Sequence, residues 1–432
     1  IADPMRFSDL KDDRPPERPK KPRSKFEPPE KVPPPPEAAS AAVPEKLPPP
    51  PPAPAPAAKP APGPATFFSG LSGPRKVPPP AGPFPVKRPL PPAPAPAPAA
   101  AAGKVPLPMR TAEGVVSLEF QRRAAQDVYG AAILAMKALM RDIALGPVDS
   151  YDGLRALVHQ IREQLRAGEG ALMMLTTRST ASHYLYAHAV NVCILSMDLA
   201  LGLGWSDDQL EILGLSALLM DIGLTKFLKL ADLPRALTPE EFQEIQLHPM
   251  ESRKMLDHLH GIEESAKQTI SDIIAHEGAR KSRPGGFKDV HAAAEIICLC
   301  DIYEAMSHHR AWRAALLPHD AVKTMLKQNS QQFDRKLLQA FVERLSLYPP
   351  GSYVEITGGE IAWVLAANPK TPTLPTVEVR LMADGTVKSP PNIIDLSQQP
   401  LIHIERAVDE TKLHLRDKRL LLAFQANRWW VE

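Results

Sequence analysis

The chain has 432 residues, 44% of them apolar, and a formal net charge of only +2, so it is long enough for two or three domains and can bury a substantial core. Most of its 50 prolines fall before about Gly103, in runs such as Pro33-Pro34-Pro35-Pro36 and the Pro-Ala alternation from Pro91 to Pro98. Such a composition excludes a packed core in residues 1–110, where polyproline II or disorder is expected.

That region carries about eight excess positive charges and leaves the remainder mildly acidic. Few aromatic residues are interleaved there for base stacking, so it reads as a solvated spacer and nucleic acid is not an expected partner. Cys193, Cys298 and Cys300 lie in apolar helical sequence without C-x-x-C spacing, which fits buried free thiols in a reducing cytoplasm. The richest apolar stretch, Leu213 to Leu224, is short and interrupted by Ser216 and Asp221, so no membrane span is expected. Arg6, Asp9 and Lys11 occupy the place of a signal peptide's apolar core, and a cytoplasmic protein is the expectation.

From about Ala112, Val116, Phe120, Ala124, Val128 and Ala131 recur at helical spacing and the pattern continues through Met140. A second helix is predicted over Tyr151 to Arg166, and residues 111–168 are expected to form N-terminal helices packing on the core. In 169–347 long helices dominate. Ala181 to Leu201 sets Leu185, Val192, Leu195 and Leu199 on one face and stops at Gly202 and Gly204. Ser206 with Gln209 reads as a capping box opening Asp207 to Leu219, and Thr238-Pro239-Glu240-Glu241 as a second one with proline in the first helical position.

Around Pro349 the period shortens. Tyr353 to Thr357 and Glu360 to Leu365 flank Gly358-Gly359, which suits a tight hairpin. Val377 to Met382, a turn at Ala383-Asp384-Gly385, and Ile402 to Ile404 complete a small β-barrel-like module over 348–408. Residues 409–432 form a tail in which Trp429-Trp430 suggests a docking helix. The expected fold is an all-α helical bundle with a small C-terminal β module.

The informative residues are charged or imidazole side chains inside apolar runs. Asp221 sits in Leu218-Leu219-Met220-Asp221-Ile222-Gly223 and Asp301 in Ile296-Ile297-Cys298-Leu299-Cys300-Asp301-Ile302. A carboxylate in such surroundings is costly unless paired or bound to metal. Together with His188, His248 and His276 on separate helices, the two aspartates offer the mixed imidazole and carboxylate set that a divalent transition metal requires.

These segments resemble the HD-GYP family of HD-superfamily metal-dependent phosphohydrolases. His188 in Ala187-His188-Ala189-Val190-Asn191-Val192 is similar to the family's first metal histidine, and Leu219-Met220-Asp221-Ile222-Gly223 to the segment carrying its adjacent His-Asp pair. His248-Pro249 follows the Thr238-Pro239-Glu240-Glu241 start, Ala275-His276-Glu277 lies where the family has two histidines and a glutamate, and Asp301-Ile302-Tyr303-Glu304-Ala305 where it has its last metal aspartate. Arg310-Ala311-Trp312-Arg313 resembles the arginine pair that follows; Phe333-Asp334 and Tyr348-Pro349-Pro350-Gly351 also fit. The resemblance implies a metal site of His188, Asp221, His248, His276 and Asp301, with Asp221 as the catalytic carboxylate. It further implies iron or manganese as cofactor, Arg310 and Arg313 facing substrate phosphates, and a cyclic di-GMP phosphodiesterase reaction.

Several positions depart from that pattern. Met220 replaces the histidine of the defining pair, Leu224 the usual lysine three residues after the aspartate, and Ala275 the first of the paired histidines. In the loop Pro284-Gly285-Gly286-Phe287 the family's tyrosine and proline are lost, Phe287 standing among the changed positions. A thioether is a poor ligand for iron or manganese. The expectation is therefore a degenerate HD-GYP member, weak or inactive as a phosphodiesterase and acting as a regulatory or binding module. Its expected partners are a cyclic dinucleotide, proteins that dock on the proline-rich region, and a second copy in a homodimer. The alternative is a divergent metal-dependent phosphodiesterase with a reduced metal site.

Overall fold

The computed structural model describes residues 112–167, 170–177, 184–281, 291–310, 313–328 and 332–413. The proline-rich region, the 284–287 loop with Phe287 and the tail carrying Trp429 and Trp430 lie outside these residues.

Helix α1 (Ala112–Leu145) turns Ala125, Tyr129, Ala132, Met136, Met140 and Ile143 inward. Helix α2 (Asp152–Arg166) buries Leu154, Leu157, Val158, Ile161 and Leu165, the three-and-four spacing of one helical face. After the short α3 (Ala171–Leu175), α4 (Tyr184–Gly202) is buried continuously from Ala187 to Ala200. The expectation that no run reaches spanning length is corrected here, since α4 is long and apolar enough by length and composition to cross a membrane. In the fold it is the central helix, and burial on every face demands a largely apolar composition all round.

Helix α5 (Asp207–Leu219) opens on the capping box foreseen from Ser206 and Gln209, and a 3₁₀ turn (Ile222–Phe227) follows directly. The short α6 (Leu228–Ala231) leads to α7 (Pro239–Ile245), which carries the second capping box between Thr238 and Glu241. Then come α8 (His248–Met255), α9 (Glu264–Lys281) and α10 (Ala292–Ser307). His291 caps α10, accepting from the Ala293 amide. Helix α11 (Pro318–Gln328) precedes α12 (Arg335–Leu345), whose first turn is capped by the Asp334 carboxylate.

The β module is a five-stranded antiparallel sheet in the order β4-β3-β2-β1-β5, with β1 (Tyr353–Ile356), β2 (Glu360–Ala366), β3 (Thr376–Leu381), β4 (Val387–Asp395) and β5 (Ile404–Val408). Gly358 and Gly359 join β1 to β2 with φ of 92° and 81°, a region closed to most side chains. Two strand readings are corrected. Only Ile404 of the expected 402–404 strand belongs to β5, and β4 was not foreseen because Pro390-Pro391 interrupts it. Proline is tolerated there because β4 is an edge strand.

Strands β1, β2 and β3 are buried on both faces. Val354, Ile356, Ala362, Val364, Val377 and Val379 share one cluster with Ile394 and Leu396, while Tyr353, Trp363, Leu365 and Leu381 pack with Met174 of α3 on the other. Trp363 also lies between the guanidinium groups of Arg122 and Arg380, 5.3 and 4.6 Å from its ring centre. Glu378 pairs with both arginines, at 2.5 and 2.7 Å, so α1 is clasped to the sheet.

Candidate functional site

Four elements bring His188, Asp221, His248 and Asp301 together. His188 projects from the second turn of α4, Asp301 from α10, Asp221 from the junction between α5 and the 3₁₀ turn, and His248 is the first residue of α8. His188 Nε2 stands 3.2 Å from Asp221 Oδ2 and 3.2 Å from Asp301 Oδ1, and His248 Nε2 is 3.1 Å from Asp221 Oδ1. His188, Asp221 and Asp301 are buried.

The close approach of α8 to the 3₁₀ turn depends on Gly223. A Cβ at that position would come within 2.3 Å of the His248 carbonyl oxygen and 2.5 Å of the Ser252 amide nitrogen. Ser252 Oγ ties the same corner, donating to the Met220 carbonyl at 2.6 Å and accepting from the Gly223 amide at 2.9 Å.

A second layer braces the imidazoles. His188 Nδ1 is bonded to Glu304 Oε2 at 2.6 Å, one helical turn beyond Asp301, and His248 Nδ1 to the Ile245 carbonyl at 2.7 Å. Both rings therefore present Nε2 to the Asp221 carboxylate, since the partner at Nδ1 fixes ring orientation. Glu304 also accepts from Asn191 at 3.1 Å, and the Tyr129 hydroxyl donates to Asn191 at 2.6 Å. His308 closes the group on Glu304 Oε1 at 3.3 Å.

Burial works against a proton on His188, but the charge of Glu304 and hydrogen bonds to Asp221, Asp301 and Glu304 outweigh it and hold the imidazole well above its usual range. For Glu304, burial would raise the carboxyl; the charges of His308 and His188, with bonds from His188 and Asn191, keep it below its usual range. Burial, and then the charge of Glu304, push the Tyr129 hydroxyl far up, so it remains a donor.

The structure places the remaining candidates differently. His276 is exposed on α9, its Nδ1 bonded to the Asp272 carbonyl of its own helix at 2.9 Å, with no contact to the other four ligand candidates among the described residues. Met220 is buried in the apolar core, Leu224 four residues on is also buried, and Ala275 is half-buried. Lys226 turns outward to pair with Glu251. The Arg310 guanidinium lies 4.0 Å from the centre of the Tyr184 ring, which itself stacks on His188 at 5.4 Å. Burial and the neighbouring Arg313 lower Arg310 to about 9. Arg313 hydrogen-bonds to the Ala305 carbonyl and pairs its backbone with Arg310.

Read residue by residue, the sequence assigns no role to Glu304, Asn191, Tyr129, Tyr184 or His308. His308 is in fact buried, bonded to Glu304. The signal for two of them was spacing, because Asn191 follows His188 and Glu304 follows Asp301 by three residues, one turn along the same face.

Two imidazoles and two carboxylates suit a divalent transition metal in kind. The 3.1–3.2 Å separations between them are those of hydrogen-bonded imidazole and carboxylate groups. Asp221, Asp301 and Glu304 also bring more negative charge than a protonated His188 cancels, which favours a cation. Among the described residues no group of three or more His, Cys, Asp or Glu side chains is arranged to hold a metal ion; the donors contact one another in pairs.

Comparison with known proteins agrees with this architecture. Residues 173–337 match the HD domain family and residues 353–416 the KOW domain associated with HD domains. The cyclic di-GMP phosphodiesterase PA4108 of Pseudomonas aeruginosa is 28% identical over 300 residues, covering 68% of this chain and 71% of that protein. The cyclic di-GMP phosphodiesterase PdeB of Borreliella burgdorferi is 22% identical over 203 residues, covering 46% of this chain and 52% of its own length. Among solved structures, Bd1817, an HDG"Y"P protein from Bdellovibrio bacteriovorus, aligns at 20% identity and a TM-score of 0.31 over 51% of this chain and 67% of that one. The chain carries an HD domain over residues 173–337 and is homologous to the HD-GYP cyclic di-GMP phosphodiesterases.

Proposed function

We propose that this chain serves cyclic di-GMP signalling in the cytoplasm as a degenerate HD-GYP module that binds the dinucleotide and hydrolyses it weakly or not at all. The observation that carries the reading is Met220. It is 1% exposed within the apolar core, so the residue beside Asp221 offers a packed thioether where the family's adjacent pair would offer an imidazole. Ala275, a methyl group beside the exposed His276, supports the same reading.

Residues His188, Asp221, His248 and Asp301 would hold a divalent transition metal, iron or manganese, which when bound supplies Lewis acidity toward a phosphodiester oxygen. Glu304 orients His188 and the Ile245 carbonyl orients His248, which keeps both Nε2 atoms directed at Asp221. In the absence of metal, His188 keeps its proton between Asp221 and Asp301. Arg310, held over Tyr184 and forming no ion pair among the described residues, is the group assigned to the dinucleotide phosphates. Residues 1–110 are assigned to protein partners that read polyproline segments.

The test is metal analysis joined to a cyclic di-GMP binding and hydrolysis assay on the full chain and on the Met220→His, Ala275→His double variant. The expected result is dinucleotide binding with little metal and little hydrolysis in the natural chain, and a gain of both by at least about tenfold in the variant. Robust metal-dependent hydrolysis by the natural chain would overturn the reading. It would favour a divergent phosphodiesterase with a reduced site, for which the convergence of His188, Asp221, His248 and Asp301 is the supporting observation.

A further inference from the structure

Helix α1 has two faces of different kind. Its inner face packs into the core, and its outer face carries a second stripe at alternating spacings of four and three residues: Phe120, Ala124, Asp127, Ala131, Leu134, Ala138, Arg141 and Leu145. Phe120, Leu134 and Leu145 are 73%, 68% and 84% exposed. Only Leu401, at 85%, matches them among the large apolar residues described. Single exposed apolar side chains need no explanation, but three on one seam of one helix mark an interaction surface.

A seven-residue repeat of this kind is the seam of a helix pair, and the charges on it choose the orientation. In a parallel pair, Asp127 would meet Asp127 and Arg141 would meet Arg141. Antiparallel pairing that sets Phe120 against Leu145 of the partner subunit also sets Ala131 against Leu134 of the partner subunit. It brings Asp127 within three residues, about 4.5 Å along the axis, of Arg141 of the partner subunit. Large then meets large at the ends, small meets large at the centre, and opposite charges meet between them. Among the described residues Asp127 makes no ion pair and Arg141 pairs only with the adjacent, half-buried Asp142 at 2.7 Å, a contact that is readily exchanged.

We infer that α1 is the surface through which two copies of this chain associate, antiparallel about a two-fold axis near residues Ala131 to Leu134. The pair is isologous, each stripe serving as both donor and acceptor of the same contacts.

Sedimentation equilibrium on the full chain tests this, with circular dichroism to establish that each variant is folded. The natural chain is expected to dimerise, and Leu134→Glu to raise the dissociation constant at least about tenfold. Asp127→Arg and Arg141→Asp are each expected to weaken the dimer, and the double variant to restore it, which no general loss of folding would do. A natural chain that stays monomeric, association unchanged by Leu134→Glu, or a double variant no tighter than the singles would overturn the inference. So would slow thiol labelling of a folded, monomeric Leu134→Cys chain, which would assign the seam to another segment of the same molecule.

Discussion

On the α4–α10 side of the site, the polar side chains are linked one to the next: Tyr129 to Asn191, Asn191 to Glu304, and Glu304 to both His188 and His308. On the α5–α9 side, Met220 and Leu224 lie in apolar packing, Ala275 has no polar atom, and His276 faces outward, leaving Asp221 with His248. The two sides differ in what a substitution can damage. A fully bonded buried network is a structural unit in which each loss strands its neighbours, whereas the other side can accept polar groups it lacks.

The largest expected effect is therefore on the linked side. Glu304→Ala leaves His188, Asn191 and His308 facing an empty buried position, and a loss of about 3–5 kcal/mol is expected in urea denaturation. Stability within about 1 kcal/mol of the natural chain would mean that the network is slack and the contrast false. Asn191→Ala removes one link and should cost about 1–3 kcal/mol, mainly by orphaning the Tyr129 hydroxyl. Gly223→Ala probes the other side: its added methyl would force the His248 backbone away, at about 1–3 kcal/mol. It should shift the His248 imidazole resonances more than those of His188, which Glu304 also holds.

The smallest effect lies away from both. The Arg235 hydrogen bond and the Thr238 cap hold Glu241 at about 2. Because its folded value is depressed, the contribution is complete above the ordinary carboxylate value near 4.5 and is lost as pH falls through about 2. Amide exchange at the start of α7 should quicken over that interval, and Arg235→Ala should move the onset upward.

How far the sequence disclosed this arrangement depended on how local the signal was. Both capping boxes lie within four residues and were legible as such, as was the Gly358-Gly359 hairpin. Strand β4 was hidden because its prolines argue against a strand until its place at the sheet edge is known. The convergence of His188, Asp221, His248 and Asp301 could be anticipated because charged groups stand out in apolar helices. Their bracing could not, because Tyr129 and Asn191 are 62 residues apart and His188 and Glu304 are 116 apart. Only the fold makes them neighbours.

Helix α1 joins these observations. Its Tyr129 reaches the hydrogen-bonded network around His188, its Arg122 grips Trp363 and Glu378 of the sheet, and its opposite side carries the exposed seam. A rigid rod anchored at a buried hydroxyl at one point and at a tryptophan two turns away can neither roll nor slide alone. The sheet and the polar network at the centre of the bundle are thus fastened to one helix, whose outer side carries the seam.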